Sequence, residues 1–171
     1  MVGMLPLFYI PVPVVRIRYN HGLMQPVEAR VRVRYAETDQ MGIVYHANYI
    51  IWMEVGRVEF FRSQGLRYRD LEREGGVLLA VAEVGCRYRS PALYDEEVIV
   101  RTSLAEANSR MLRLEYELIA AEDGRVLATG YTRHVFCGPD RKPRKLPEKY
   151  WSAMGIARAG LAIAGVGLSK E

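Results

Sequence analysis

The chain has 171 residues, half of them hydrophobic and 26% charged, with 24 Lys and Arg against 20 Asp and Glu and a formal net charge of +4. That length supports one domain that buries about two-thirds of the surface an unfolded chain exposes. The cations are spread over many elements, whereas nucleic-acid binding calls for a concentrated basic footprint, so no nucleic-acid partner is expected.

Residues 1–15 are apolar but broken by Pro6, Pro11 and Pro13, with no positive charge ahead of them. They are too short and interrupted for a membrane span and lack the basic start of a secretory signal. Cys86 and Cys137 fall in strand-like stretches without C-x-x-C spacing, which reads as buried free thiols in a reducing compartment. A cytoplasmic protein follows. The ordered pattern begins only after Pro26, so residues 1–27 read as an N-terminal extension or a mis-assigned start, Met24 standing just before Pro26. An extra edge strand through Val14–Tyr19 is the alternative.

From Arg30 to Tyr35 the run R-V-R-V-R-Y alternates, which predicts a half-buried strand with Val31, Val33 and Tyr35 on the core face. Asn48 is the expected N-cap of a helix running to about Gln64, with Gly65 at the C′ position. Tyr49, Trp52, Met53, Gly56 and Phe60 form one stripe at helical spacing, and Ile51, Val55 and Val58 widen it. Gly56 costs about 1 kcal/mol of helix propensity, which predicts close approach to a sheet or a second subunit. A short polar helix over Tyr68–Arg73 leads to Gly75-Gly76. Strands are then expected over Val77–Tyr88, Glu96–Ala105, Met111–Ala121 and Arg125–Phe136, with Asp123-Gly124 as a hairpin turn. Consecutive antiparallel strands wrapped around one long apolar helix give an α+β domain over residues 28–148. A basic loop follows Phe136, and residues 149–171 form an Ala/Gly-rich tail read as peripheral. No metal-ligand spacing is present, and three histidines leave few metal ligands.

The chemistry concentrates in Tyr35–His46, Y-A-E-T-D-Q-M-G-I-V-Y-H, between the first strand and the apolar helix. A carboxylate at Asp39, ahead of a buried helix, can stay ionised beside backbone N–H groups and attack a carbonyl or take a proton from water. The alternative is that Asp39, with Glu37 and Thr38, only closes a turn. His46 reads as a hydrogen-bond donor to a substrate carbonyl or as a structural cap. Tyr35 either fixes Asp39 through its hydroxyl or completes a core contact. Backbone N–H groups from Ala47 to Tyr49, or from the turn through Gly42, are candidate donors to an oxyanion.

The run Y-A-E-T-D-Q-M-G-I-V-Y-H-A-N-Y at 35–49, E-V-G-R-V-E-F-F at 54–61 and C-R-Y-R-S-P-A-L-Y-D-E-E-V at 86–98 resembles the hotdog-fold acyl-CoA thioesterases of the YbgC and 4-hydroxybenzoyl-CoA thioesterase group. The resemblance covers about residues 28–148. It implies a hotdog fold, hydrolysis of an acyl-CoA thioester to a carboxylic acid and free coenzyme A, and Asp39 as nucleophile or general base with Tyr35 and His46 in support. It further implies a homodimer or a dimer of dimers with sites at the interface, and no cofactor beyond the coenzyme A of the substrate. An acyl carrier protein is a possible second partner. The phosphates of coenzyme A suggest a use for Arg87 and Arg89 in a strand end and for Arg141, Lys142, Arg144 and Lys145 in the late loop. Glu54 and Glu59 read as structural residues of the helix. The rival reading is a non-catalytic acyl-CoA or acyl-carrier-protein binder, or a scaffold of an envelope-associated complex.

Overall fold

The computed structural model describes residues 24–156. The suggested strand through Val14–Tyr19 and the tail from residue 157 lie outside them. Strand β1 (Val27–Arg32) is followed by a 3-10 turn at Tyr35–Glu37, helix α1 (Ala47–Ser63) and the shorter helix α2 (Tyr68–Gly75). Four more strands follow: β2 (Leu78–Tyr88), β3 (Glu97–Ala107), β4 (Met111–Ala120) and β5 (Val126–Cys137). All five strands form one antiparallel sheet in the order β1-β3-β4-β5-β2. This is the expected hotdog fold, with one correction to its wiring. The strands are not all sequential neighbours, because β2 crosses to the far edge and pairs with β5 while β1 pairs with β3.

Alternation explains the sheet's two faces. On β4, Leu112, Leu114, Tyr116 and Leu118 are buried against the helix layer. Arg113, Glu115 and Glu117 stand between them on the other face. There the alternating arginines meet carboxylates across strands: Arg30 with Glu97 at 2.7 Å, and Arg101 with both Glu28 and Glu117 at 2.8 Å. Each such pair contributes little by itself, but it keeps the face polar and the register unambiguous.

The α1 stripe lies where its spacing demands, with Tyr49, Trp52, Met53, Gly56 and Phe60 all buried. The helix ends in a Schellman motif, Leu66 N–H donating to Phe61 O and Gly65 N–H to Arg62 O, with Gly65 at φ 74°. Gly56 settles its own question in favour of the sheet. A Cβ there would lie 2.5 Å from Thr102 Oγ1 and 2.7 Å from Val100 Cγ1 on β3. Gly56→Ala is therefore expected to lower stability by about 1–2 kcal/mol, the overlap outweighing the gain in helix propensity. Urea unfolding measures it, and an unchanged midpoint would rule out this close approach.

The first described residues of the C-terminal tail are not peripheral. Met154 is fully buried in the core cluster, and the Trp151 indole donates to Leu146 O at 2.9 Å. Apolar side chains at Trp151 and Met154 turn this stretch inward despite the Ala/Gly-rich sequence beyond it.

Candidate active site

The chain leaves β1 by turning at Arg34, and one carboxylate fixes that turn. Glu37 is 4% exposed. Its Oε2 accepts Arg34 N–H at 2.7 Å, and its Oε1 accepts the Arg34 guanidinium at 2.9 Å and the Trp52 indole N–H at 3.2 Å. Its carbonyl accepts Tyr45 N–H at 2.8 Å and the Asn48 side-chain amide at 2.8 Å. Burial alone would raise the Glu37 carboxyl, but the Arg34 and Trp52 hydrogen bonds and the Arg34 charge outweigh it and hold the group below its ordinary value. Glu37 therefore ties the loop to the start of α1 from both ends. Read from sequence it was only a possible turn residue; its spacing of three from Arg34 resembles a capping box, and that was the available signal.

Two expectations are corrected by this anchoring. Tyr35 does not continue the strand into the core: the 3-10 turn rotates it outward, leaving it 79% exposed with its ring edge-on to Tyr94 at 5.6 Å. Asn48 is not the N-cap. His46 holds that position, without a side-chain cap, and Asn48 sits inside the first turn with its amide committed to Glu37.

Asp39 closes the following turn. Its N–H donates to Ile43 O, its carbonyl accepts Gly42 N–H, and its Oδ1 accepts Met41 N–H at 2.8 Å. Gly42 adopts φ 74°, a left-handed geometry natural to glycine. Both turn N–H groups are thus satisfied by Asp39 itself, and Asn48 N–H is taken by Tyr45 O. Of the proposed oxyanion donors, those beside Asn48 at the helix start remain. Asp39 Oδ2 has no protein partner among the described residues. The turn-closing and chemical readings are therefore compatible, since one oxygen builds the turn while the other is left over.

His46 lies at the end of α1 that faces β2. Its carbonyl accepts the Tyr88 hydroxyl at 2.9 Å, and its ring lies 4.3 Å from that of Tyr45 and 6.3 Å from that of Tyr88. Burial, followed by contact with Cys86, pushes the Tyr88 phenol up to about 12, so it remains a donor at neutral pH. Tyr88 was not singled out from sequence, because nothing in a strand pattern reveals that β2 ends beside the helix start. Asp39, His46 and Tyr35 share no side-chain hydrogen bond among the described residues.

The basic residues separate into two groups. Arg87 and Arg89 border a depression of about 360 Å³ on the outer sheet face, together with Arg113 and Tyr131. Arg144 instead follows the β5 end, its N–H bonded to Phe136 O and its guanidinium to Gly76 O, with Lys145 next to it. Arg87 pairs with Thr129 on β5, so the groups stand about seven residues apart along that strand, roughly 23 Å. Within one chain they cannot share a phosphate. On α1, Glu59 pairs with Arg62, and Glu54 lies 3.8 Å from Arg57.

The family described as the thioesterase-like superfamily matches residues 33–154. A putative acyl-CoA thioesterase, YneP of Bacillus subtilis, is 46% identical over 85 residues, covering 50% of this chain and 61% of YneP. The acyl-CoA thioester hydrolase YbgC of Escherichia coli is 30% identical over 119 residues, covering 69% of this chain and 87% of YbgC. Among solved structures, the hypothetical protein TT1821 from Thermus thermophilus superposes with a TM-score of 0.70 at 40% identity, covering 76% of this chain and 95% of TT1821. The match spans most of the described chain, from the last residues before the Asp39 loop to the buried Met154, and on that ground the chain belongs to the thioesterase-like superfamily.

Proposed function

We propose that the protein hydrolyses an acyl-CoA thioester to a carboxylic acid and free coenzyme A, with Asp39 as the reacting carboxylate. The observation that carries this reading is a carboxylate with one oxygen locked by Met41 N–H and the other without a partner among the described residues, in a loop anchored to the α1 N-terminus of a thioesterase-like chain. Two routes use the same group. As base, Asp39 takes a proton from water, hydroxide adds to the carbonyl, and collapse of the tetrahedral intermediate breaks the C–S bond and expels the thiolate, which is then protonated. As nucleophile, Asp39 adds directly and forms a mixed anhydride as the thiolate leaves, and water then cleaves the anhydride. In either route helix-start N–H groups meet the developing oxyanion, and His46 and Tyr35 orient the reacting groups.

Arg87 and Arg89, beside Arg113 in their depression, are the residues best placed for the phosphates of coenzyme A. An acyl carrier protein presenting a thioester would undergo the same attack. Two free cysteines, Cys86 and Cys137, suit a reducing cytoplasm. Among the described residues no helix is long and apolar enough to cross a membrane.

The protein acts as a homodimer joined along β2, or as a pair of such dimers. β2 is an 11-residue edge strand that exposes Val81, Val84 and Tyr88, an edge that a second copy would cover. Sedimentation is expected to give at least twice the 19.5 kDa chain mass, and Val84→Lys to shift it toward the monomer. A monomeric parent would remove the dimer from this account. The activity is tested by thiol release from short aliphatic, long aliphatic and aromatic CoA thioesters. Release from at least one is expected, and none from any would overturn the reading.

A further inference from the structure

Behind the α1 flank that faces β2 lies a polar cluster around one cation that has no buried carboxylate beside it among the described residues. Ile50, Glu54 and Arg57, spaced four and three apart, share that flank. Its direction is fixed by Met53, which contacts Gly130 on β5, and by Gly56, which contacts β3. Arg57 has its side chain only 13% exposed, and its sole carboxylate neighbour among the described residues is Glu54, 3.8 Å away and 65% exposed. Its guanidinium lies 5.9 Å from the centre of the Tyr68 ring. Beneath it, the Tyr116 hydroxyl, Thr132 Oγ1 and His134 Nε2 form a chain with two contacts of 2.7 Å. Arg57 Nε, Tyr68 Oη and His134 Nδ1 are buried and have no hydrogen-bond partner among the described residues.

A buried polar group without a partner is costly, and three such atoms gather around this cation. Burial, and then the Arg57 charge, push the fully buried His134 down to about 4, so it is neutral. Arg57 also acts on the Tyr68 and Tyr116 phenols, which burial raises. The cluster is thus a single cationic field ringed by hydroxyl and imidazole groups. Among the described residues it contains no buried carboxylate to answer that charge.

The path to it starts at the proposed reaction site. Tyr88 contacts His46 at the helix start, and from there the inner face of β2 runs past Val84, opposite Thr132, to Val81, opposite His134. Both valines and Ile50 are exposed in the single chain, giving an apolar strip that ends at the cluster and would lie between the subunits of a dimer joined along β2. From His46 to Arg57 the helix rises roughly 16 Å, and the arginine leans back toward the N-terminus. The remaining span suits an acyl chain of medium length.

We infer that Arg57 and Tyr68 form the far end of the acyl site and select acyl groups whose distal end carries a carboxylate, so that the favoured substrates are monothioesters of dicarboxylic acids. This rests on the thioesterase reading and adds a substrate class to it. A site built around buried polar groups without partners discriminates strongly against a substrate that leaves them so.

The test uses matched pairs, hexanoyl-CoA with adipoyl-CoA and octanoyl-CoA with suberoyl-CoA, and reads the ratio of kcat/KM within each pair. In the wild type one pair is expected to favour the carboxylate-tipped member on the order of 100-fold. In Arg57→Met that ratio falls toward one. Tyr68→Phe, which removes a single hydroxyl and retains the ring, lowers it in the same direction and guards against a folding defect in the arginine variant. Hydrolysis of both members at similar kcat/KM by the wild type overturns this inference and leaves the thioesterase reading intact. Variants that slow both members equally also overturn it, and sedimentation then shows whether Arg57 instead receives a carboxylate from a second copy. Absence of thiol from every thioester overturns both.

Discussion

Asp39→Asn is expected to cut thioester turnover by roughly 10²–10⁴-fold, the range for loss of a positioned base. The substitution is informative because it separates chemistry from architecture. Met41 N–H donates to Oδ1, and an asparagine side-chain oxygen accepts the same bond. The turn through Gly42 is otherwise made by backbone groups of Asp39, Gly42 and Ile43, which the substitution does not touch. The melting temperature should therefore stay within about 2 °C of the parent's. Asp39→Ala removes the acceptor as well and should cost about 1 kcal/mol of stability besides activity. A large loss of activity in both variants, with a stability loss only in alanine, assigns the two roles to the two oxygens.

Glu37→Ala should have the largest effect on stability, about 2–4 kcal/mol by chemical unfolding. It leaves the Trp52 indole N–H, on a residue 2% exposed, without an acceptor, and it releases Arg34 N–H from the turn. The Arg34 guanidinium adds little, because its side chain is 72% exposed and solvent screens the pair. With the loop displaced, turnover should also fall, since small misplacements of a reacting group are expensive. The pH dependence has a definite sign. Glu37 lies below its ordinary value of 4.5 when folded, so its stabilisation is complete above the unfolded carboxyl range and is lost as the pH falls through the lower, folded value. Glu37→Gln should flatten the acid limb of the stability profile near and below pH 4.5. A variant with an unaltered acid limb would show that Glu37 does not hold the loop as a carboxylate.

Hydrophobic patterning located most of the architecture, because burial on one face is written directly into residue order. Alternation on β4 and the stripe from Tyr49 to Phe60 are read without ambiguity. Pairing is a different matter. β2 looks like its neighbours in sequence, and its place beside β5 depends on a crossover that no local pattern records. Tyr35 was misplaced for a similar reason: alternation continues through R-V-R-V-R-Y, while the turn that ends it is enforced by Glu37 bonding to Arg34 and Trp52. Asn48 has the side chain of a cap but spends it on the Glu37 carbonyl, a choice made by tertiary geometry. Asp39 was legible because a carboxylate before a buried helix is chemically conspicuous. Arg57 was not, since a lone arginine on an apolar helix usually has its charged end in water, and only the fold brings Tyr68 and His134 to it.

The most direct measurement follows free thiol and free carboxylic acid together, from one CoA thioester at neutral pH, with wild type and Asp39→Asn run in parallel and binding measured on both. The account predicts equimolar thiol and acid from the wild type, and a variant that binds the thioester but releases neither at a comparable rate. Binding by the wild type without release of thiol, or equal release by the variant, would contradict it.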